Sequence, residues 1–294
     1  MPSAELHALP TPPAAVATMR AGDEVSAVFA CTRKDRLTAR TGTPYLSLEL
    51  RDRTGAIAAR VFRDADLHAG RFERGDLVRV AGRVERFRDE LTLEVRAIAR
   101  AEDADPAAFL PVAYRDLDEL DGFLEHLAGE VRDPAFAALL ADLLQDAAVR
   151  AALRRSPCTR NGHHAYLGGL LEHTVAVTTL ALETCVLHPR LDQDLLLTAA
   201  IVHDLGKTRE FALGAEITLT EEGRLLGHIE LGLRLLDQRA ATLDEPRRLA
   251  LAHCVLAHHG DRRPATAEAL ALYRLNAVDA AVKGALEHGV PAPQ

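Results

Sequence analysis

The sequence contains few cysteines and no cysteine pair. Four cysteines are scattered over 294 residues, and none belongs to a Cys-x-x-Cys motif. This argues against a disulfide framework and against a zinc site built from paired thiolates, and it fits a reducing cytoplasm. The apolar runs fall short of the ~20 residues that a membrane span needs, so we expect no membrane partner. Internal repeats are also lacking.

Charge and composition set the N-terminal third apart. Residues 1–21 are rich in Ala and Pro and lack the basic-then-apolar order of a signal peptide, so we predict a flexible leader, with a short docking segment within it as the alternative. Residues 22–101 carry 16 basic and 13 acidic side chains, net +3, whereas the rest of the chain carries 19 and 30, net −11. This asymmetry allows the first domain to face nucleic acid on a chain that otherwise repels phosphate.

Residues 22–101 are predicted to form a small barrel. Five short extended runs, separated by turn residues, favour a closed all-β arrangement. The runs lie at 24–31, 45–50, 56–62, 76–84 and 91–98. Three motifs resemble an OB-fold of the nucleic-acid-binding kind: Gly42-x-Pro44-Tyr45, Asp52-x-Thr54-Gly55 and Gly75-Asp76-x-Val78-x-Val80-x-Gly82.

An OB-fold that binds single strands needs aromatic faces and a basic groove. The aromatic candidates are Phe29, Tyr45, Phe62 and Phe87, and the basic ones are Arg33, Lys34, Arg40, Arg60 and Arg86. Of these, we predict Tyr45 and Arg40 as substrate contacts. The alternative is that the aromatic rings fill the barrel core and that the basic residues form a solvated surface.

The C-terminal two thirds are predicted to be helical. Residues 102–115 hold two prolines and little periodicity, which indicates a linker. From residue 116 to 294 the apolar spacing is that of helices. The expected fold class is therefore α+β multidomain, with a five-stranded OB-fold barrel followed by an all-α helical bundle.

The motif His203-Asp204 ends an apolar run, Leu195 to Val202. A neutral imidazole beside a carboxylate suits Mn²⁺, Fe²⁺, Zn²⁺ or Co²⁺. Burying such a pair at the foot of an apolar helix is costly unless a charge or a metal satisfies it. Gly206 is predicted to break the helix, and Lys207 to supply a positive charge beside the site.

Further candidate ligands lie in four other predicted helices. The stretch from His163 to Thr174 is expected to begin one helix, and His228 to lie in another. His258-His259 is expected to end a fourth helix, and Asn276 and Asp279 to lie in a fifth. Metal sites in helical bundles are built in this way, from side chains on facing helices.

The strings around these residues resemble a known superfamily. They are His163-His164-Ala165-Tyr166-x-Gly168-Gly169-Leu170-Leu171-x-His173-Thr174, Glu222-Gly223-x-Leu225-Leu226-Gly227-His228-Ile229 and Ala257-His258-His259-Gly260. With His203-Asp204 they are similar to the HD superfamily of metal-dependent phosphohydrolases. With a barrel in front, residues 22–285 resemble the YhaM-type 3′–5′ exoribonucleases.

The resemblance implies a set of metal ligands. His173, His203 and Asp204 would be core ligands, and His228 and His258 would hold a second metal. The family's distal Asp falls where this chain has Asn276, and the next acidic residue, Asp279, lies one turn later. We predict Asp279 as the ligand, with Asn276 as the alternative.

Residues on and beside the predicted metal ligands are expected to act in catalysis and in substrate binding. His203, Asp204 and Lys207 are predicted to be catalytic, because two divalent ions, here expected to be Mn²⁺ with Fe, Co or Zn as alternatives, can activate water and clamp a phosphodiester. His164, Tyr166, Arg160, His259 and Asn276 are predicted to contact the terminal nucleotide. Simpler explanations are interior histidines, a surface charge at Asp279 and solvated arginines.

Three functions remain open at this point. The first is a cytoplasmic, metal-dependent 3′–5′ exoribonuclease acting on single-stranded RNA or DNA. The second is an HD phosphohydrolase for a small nucleotide, with the barrel in regulation or assembly. The third is a non-catalytic nucleic-acid-binding factor with a degenerate metal site, an idea that Asn276 supports. Homo-oligomerisation is expected of the family, but no heptad or apolar stripe in the sequence indicates it.

Overall fold

The computed structural model describes residues 15–290. These residues divide into two compact units. The first holds the described residues up to Leu110 together with residues 213–216, and the second holds residues 111–212 and the described residues from 217 onward. The expected boundary between barrel and helical domain, within 102–115, stays close to this division. Residues 1–14 of the predicted leader lie outside the described residues.

The first unit is a closed five-stranded barrel. The strands pair in the order β1-β2-β3-β5-β4, and β4 pairs with β1 to close the ring. All pairs are antiparallel except β3 with β5. The strands are β1 (Glu24–Thr38), β2 (Pro44–Asp52), β3 (Gly55–Val61), β4 (Leu77–Phe87) and β5 (Glu90–Arg100), with a short helix α1 (Ala65–Ala69) after β3. The predicted OB-fold barrel is confirmed.

The sequence pattern explains how the barrel closes. Leu46, Leu48 and Leu50 alternate along β2 and are fully buried, because every second side chain of a strand points inward. Register shifts leave Thr32 and Arg96 as extra residues and mark bulges in β1 and β5. Bulges bend strands and increase their twist, as closure requires.

The end of the predicted leader is ordered in the structure. Val16–Thr18 form a 3₁₀ helix. The Val16 amide donates to Asp52 Oδ2 at 2.7 Å, and Val16 and Met19 pack against the barrel core. Residues 16–19 of the leader therefore contact the barrel through two apolar side chains and one amide, as a short docking segment does.

The second unit is mainly a bundle of helices. Its helices are α2 (Leu117–Ala128), α3 (Pro134–Gln145), α4 (Ala147–Arg155), α5 (Gly169–Leu187), α6 (Gln193–Val202), α7 (Lys207–Glu210), α8 (Glu221–Arg239), α9 (Glu245–Ala257) and α10 (Ala267–His288). Asp116, Asp133, Asp146 and Asp192 cap α2, α3, α4 and α6 with side-chain bonds to backbone amides. Such caps satisfy amides that a helix start leaves free.

Helix α5 is the centre of the bundle. It packs against α2, α4, α6 and α10. Among the described residues it is also the one helix that is long and apolar enough to cross a membrane by length and composition. Its position among four helices accounts for that composition, because a helix surrounded by others is apolar on most sides.

Two local predictions differ from the structure. The stretch from His163 does not begin a helix, because α5 starts only at Gly169 and residues 161–168 form turns. The helical domain also contains a two-stranded sheet, β6 (Phe211–Leu213) and β7 (Ile217–Leu219), which the apolar spacing did not indicate. Strands of three residues are too short for periodicity to reveal.

Candidate metal centre

The structure brings the six predicted metal ligands together. His173 lies in α5, His203 and Asp204 directly follow α6, and His228 lies in α8. His258 is the C-terminal cap of α9, and Asp279 lies in α10. Potential ligand atoms of these residues fall into groups in which all atoms lie within 4.8 Å of one another. The prediction of one or two donors from each of five helices agrees with this geometry.

The first donor group consists of His173, His203 and Asp204. The Nε2 atoms of the two histidines are 3.2 Å apart, and Asp204 Oδ2 lies 3.5 and 3.4 Å from them. Donors that share one ion at about 2.1 Å each lie about 3.0–3.4 Å apart. The three side chains are also fully buried or nearly so. The group therefore fits a divalent cation.

The second donor group consists of Asp204, His228, His258 and His259. It uses the other oxygen of the carboxylate, since Asp204 Oδ1 lies 3.5 Å from His228 Nε2 and 3.4 Å from His258 Nε2. His259 Nε2 lies 2.9 Å from His228 Nε2. Asp204 thus presents one oxygen to each donor group, as a carboxylate that bridges two ions does.

Two buried atoms of the second group lack a hydrogen-bond partner among the described residues. They are Asp204 Oδ1 and His258 Nε2. A buried polar atom without a partner costs about 1–3 kcal/mol, and more when it is charged. A cation held between these atoms would satisfy both at once. The residues present therefore fit a metal, on evidence that does not depend on family resemblance.

Loss of solvation keeps two candidate ligands neutral. Burial lowers the pKa of His203 to about 4. His259 is exposed as a residue, but its ring lies against that of His258, with centroids 4.0 Å apart, and desolvation there lowers its pKa to about 3. A histidine binds metal through the lone pair of its neutral ring. At neutral pH both rings can therefore bind a cation without first losing a proton.

Asp204 and Lys207 form a buried ion pair, with Lys207 Nζ 2.6 Å from Asp204 Oδ2. Burial acts to raise the pKa of Asp204, but Lys207 and His203 outweigh it and hold that pKa well below its usual range. Burial likewise acts to lower the pKa of Lys207, and Asp204 reverses this. Lys207 was predicted as a catalytic group facing phosphate. The structure shows its ammonium bound to Asp204, which supports a role in holding that carboxylate.

We expect metal binding near pH 7 to release a proton from His173. Burial acts to lower the pKa of His173, but its hydrogen bonds to Asp204 and Asp279 prevail and raise it. A raised pKa leaves the metal-free ring partly protonated, and the metal must displace that proton, so apparent affinity should rise with pH by up to about tenfold per unit. Calorimetry in two buffers of different ionisation enthalpy counts the protons. An unchanged count in His173→Gln would contradict this assignment.

Asp279, rather than Asn276, faces the donor groups. Asp279 Oδ2 lies 2.6 Å from His173 Nδ1 and 3.0 Å from His164 Nε2. Asn276 is buried and donates through Nδ2 to the carbonyl of His258 at 3.1 Å. Burial acts to raise the pKa of Asp279, yet the bonds to the two histidines lower it strongly. The geometry favours the predicted choice of Asp279, whether it binds a metal directly or through His173.

Two glycines and a glutamate place His228. Gly227 adopts φ +71° inside α8 and kinks the helix directly before His228, a conformation that glycine adopts without steric cost. A Cβ on Gly206 would lie 1.9 Å from the His228 carbonyl oxygen. Glu210 Oε1 accepts from the His228 amide at 3.2 Å and lies 3.3 Å from its Nδ1. Gly206 was predicted to break the helix. In the structure, its lack of a side chain allows the backbone of α8 to approach closely at His228.

Gly206→Ala should destabilise the protein by about 3 kcal/mol, the upper range for forcing extra volume into a packed site. The added methyl group has backbone as its neighbour on α8, which moves less easily than a side chain. Chemical denaturation measures the loss. Gly122→Ala in α2 is the matched control, because its Cβ meets nothing within 4 Å, and it should stabilise by about 0.5–1 kcal/mol. Equal effects of the two changes would contradict the close approach.

The residues predicted to contact the terminal nucleotide fall in different environments. His164 is buried, and its ring nitrogens lie 2.9 Å from the Tyr166 hydroxyl and 3.0 Å from Asp279. The Tyr166 hydroxyl donates to Glu172 at 2.8 Å. Arg160 and His259 are exposed. The geometry therefore gives His164 and Tyr166 a part in positioning Asp279, and leaves Arg160 and His259 accessible to a substrate.

The barrel carries an exposed row of aromatic and basic side chains. Tyr45 stacks on Phe62 with 5.3 Å between ring centroids. The Arg60 guanidinium lies 4.0 Å from the Phe87 centroid, and Arg88 lies 5.3 Å from it. Phe62 and Phe87 are each 43% exposed, Tyr45 is half-buried, and the fourth aromatic candidate, Phe29, is fully buried. We call Tyr45, Phe62, Arg60, Phe87 and Arg88 the aromatic row.

Phe29, Lys34 and Arg40, three candidate nucleic-acid contacts of the barrel, lie in different environments. Phe29 belongs to the core, as the alternative explanation proposed. Lys34 is a structural residue, because its ammonium donates to the carbonyls of Ala69 and Phe72 and pairs with Glu73. Arg40 lies exposed in the turn between β1 and β2. Its contact with substrate remains a prediction.

Sequence reasoning missed several buried polar residues around the centre. Glu210 orients His228, and Glu172 accepts from Lys283 at 3.1 Å. Cys158 is fully buried and accepts from Lys207 at 3.4 Å. Glu172 precedes a ligand directly in sequence and Glu210 lies three residues after Lys207, a proximity that could have drawn attention to both. Cys158 gave no such signal.

Models of two known protein families match this chain, one in each unit. The family model of the HD domain matches residues 170–281, and the model of the OB-fold nucleic acid binding domain matches residues 28–99. Apart from residues 213–216, which group with the barrel, these ranges lie within the second and the first unit respectively. Both expected folds are therefore confirmed.

Curated relatives span both domains. The 3′–5′ exoribonuclease YhaM of Bacillus velezensis is 30% identical over 270 residues, which cover 88% of this chain and 85% of the relative. The YhaM enzyme of Shouchella clausii is 30% identical over 278 residues, covering 90% and 85%. That of Bacillus subtilis is 28% identical over 270 residues, covering 88% and 85%. The chain therefore belongs to the YhaM family of 3′–5′ exoribonucleases, enzymes that join an OB-fold to an HD domain.

Proposed function

We propose that this chain removes nucleotides from the 3′ end of single-stranded RNA and releases nucleoside 5′-monophosphates. The observation that carries the proposal is Asp204, which turns one carboxylate oxygen to each of two donor groups. The curated relatives carry the name 3′–5′ exoribonuclease. The second donor group also holds two buried atoms without partners, which a cation would satisfy.

We propose two divalent ions as cofactors, with Mn²⁺ as the native metal. His173, His203 and Asp204 would hold one ion, and Asp204, His228 and His258 the other. When bound, such a pair activates water and stabilises charge on the attacking and leaving oxygens of a phosphodiester. Mixed imidazole and carboxylate donors suit Mn²⁺, Fe²⁺, Co²⁺ and Zn²⁺, and a metal series would choose among them.

The remaining residues prepare the centre for this reaction. Lys207 neutralises part of the charge of Asp204 and fixes its orientation through a 2.6 Å bond. Asp279 and Glu210 accept from the outer nitrogens of His173 and His228, and a carboxylate in that position fixes the orientation of a metal-binding imidazole. His259 is exposed and neutral at pH 7, so its ring is accessible for a hydrogen bond with the substrate.

The barrel supports a single-stranded substrate. Stacking on aromatic side chains and cationic contact with phosphate are the usual means of binding single strands, and the aromatic row contains both aromatic and cationic side chains. The barrel region also carries a net charge of +3 within a chain of net charge −8. We therefore propose that the barrel retains the strand between successive cleavages.

Product analysis tests the proposed function. The purified chain with Mn²⁺ should degrade a 5′-labelled single-stranded RNA into a ladder that shortens from the 3′ end, and a 3′-labelled RNA into labelled mononucleotide at once. Mass spectrometry should identify nucleoside 5′-monophosphates. Parallel reactions with single-stranded DNA and with small nucleotides separate the alternative substrates. Internal fragments, or turnover of small nucleotides alone, would overturn the proposal.

Phe62→Ala should raise KM for a long RNA by about tenfold with little change in kcat. One stacked base contributes about 1–3 kcal/mol, and binding in the barrel acts before the chemical step. Degradation of long and dinucleotide substrates, compared side by side, measures the effect. Leu67→Ala is the control, because Leu67 is also an exposed apolar residue of the first unit, at 57%, but lies on α1, outside the aromatic row. Equal losses on the dinucleotide would contradict a stacking role.

A further inference from the structure

We propose that Cys158, His163 and His173 form an inhibitory site for thiophilic divalent cations such as Zn²⁺ and Cd²⁺. We call these residues the thiolate site. One ligand atom from each lies within 4.8 Å of those of the other two. The inhibitory consequence rests on the proposed function, whereas binding itself does not.

The geometry of the thiolate site fits a soft cation. Cys158 Sγ lies 3.7 Å from His163 Nε2. Sulfur and nitrogen that share a tetrahedral Zn²⁺ at about 2.3 and 2.05 Å lie about 3.6 Å apart. The rings of His163 and His173 have centroids 5.6 Å apart, and a ligand atom of each lies within 4.8 Å of the Cys158 sulfur. Asp204 Oδ2, 3.9 Å from Cys158 Sγ, is near enough to become a fourth ligand.

The thiolate site differs from the first donor group in its ligand chemistry, although His173 belongs to both. A thiolate with two imidazoles favours Zn²⁺ and Cd²⁺, whereas the imidazole and carboxylate donors of the first group also suit Mn²⁺. The absence of a Cys-x-x-Cys motif argued against paired thiolates, and that conclusion stands, because the thiolate site uses a single sulfur. Cys158 and His173 are fully buried, but His163 is partly exposed and gives a cation a path inward.

Occupation of the thiolate site would disable the first donor group, because the two sites share His173. As the cation binds, the S–H bond of Cys158 breaks, its proton passes to solvent, and a sulfur–metal bond forms. Lys207 donates hydrogen bonds both to Cys158 and to Asp204. A cation on the sulfur of Cys158 therefore also disturbs the ion pair between Lys207 and Asp204. A soft cation at the thiolate site therefore takes His173 from the first donor group and perturbs Asp204, a second member of that group.

Cadmium titration of the full chain tests the proposal. In wild type one equivalent of Cd²⁺ should produce the ultraviolet charge-transfer absorption of a cadmium thiolate. Cys158→Ser should lose that absorption, and Cys185→Ser should keep it. Cys185 is the matched control, because it is a buried thiol on α5, the helix of His173, but belongs to none of the donor groups. If Cys158→Ser fails to fold by circular dichroism, His163→Gln replaces it, with binding at least tenfold weaker expected.

Inhibition is measured against each variant's own rate without Cd²⁺. Inhibition of the Mn²⁺-supported cleavage of RNA should need at least tenfold more Cd²⁺ in Cys158→Ser than in Cys185→Ser. Thiolate absorption that persists in Cys158→Ser would overturn the site, and equal inhibition of both variants would overturn its inhibitory role. If the chain proves inactive on RNA, the proposed function fails, while the absorption still decides whether the thiolate site exists.

Discussion

Asp204→Asn should lower kcat by at least about 10³-fold, equivalent to about 4 kcal/mol of transition-state stabilisation. Asp204 is the residue shared by both donor groups, and the amide has only one oxygen to offer where the carboxylate offers two. The loss of charge also weakens the attraction for both ions. Measurement of kcat with saturating Mn²⁺, together with metal content after dialysis, checks the two consequences separately.

The same change should destabilise the metal-free protein by about 3 kcal/mol, since it leaves the buried ammonium of Lys207 without its counter-charge. Asp121→Asn is the matched control. Asp121 is a buried carboxylate of the helical domain that accepts from Arg150 at 2.9 Å and from Arg154 at 2.8 Å. It should lose less stability, because Arg150 and Arg154 keep Glu125 and Asp118 as partners, and it should retain metal and activity within about threefold, in line with additive effects at distant sites. A similar loss of kcat in both variants would show that stability, not metal binding, explains the result.

Asp279→Asn should weaken metal binding by about 10–100-fold and reduce kcat/KM equally at limiting Mn²⁺. Its Oδ2 holds His173 at 2.6 Å, so the amide would leave that ring with a weaker acceptor. Activity should recover in part as Mn²⁺ is raised, because the other ligands remain. Titration of activity with Mn²⁺ gives the apparent affinity of each variant.

Residue 276 provides the contrasting experiment. In the double variant Asn276→Asp with Asp279→Asn, the carboxylate moves to the position expected from the family resemblance. No recovery is expected, because the side chain at 276 is buried and points to the carbonyl of His258, where a carboxylate would be repelled. Restored affinity in the double variant would show that position 276, and not 279, completes the metal centre.

Much of the fold was readable from local pattern. Alternation along β2, visible at Leu46, Leu48 and Leu50, predicted a strand buried on one face. The apolar run that ends at His203 predicted a buried helix with a polar foot, and α6 ends at Val202. The boundaries were harder. The stretch from His163 to Tyr166 precedes α5, because Gly168 begins that helix with φ +79°, and apolar spacing does not record such a change in backbone direction.

The sequence by itself determined the chemistry available to this protein: a basic barrel, and imidazoles and carboxylates placed on five helices. Only the tertiary structure decided how these groups are shared. It placed Asp204 between two donor groups, bound Lys207 to Asp204, directed Asp279 towards His173 and Asn276 towards the carbonyl of His258, and brought Cys158 within reach of His163. The physical reason is that helical spacing specifies which face a residue occupies, whereas distances between atoms on different helices depend on close approaches, such as that of Gly206 to α8, that arise only when the helices pack.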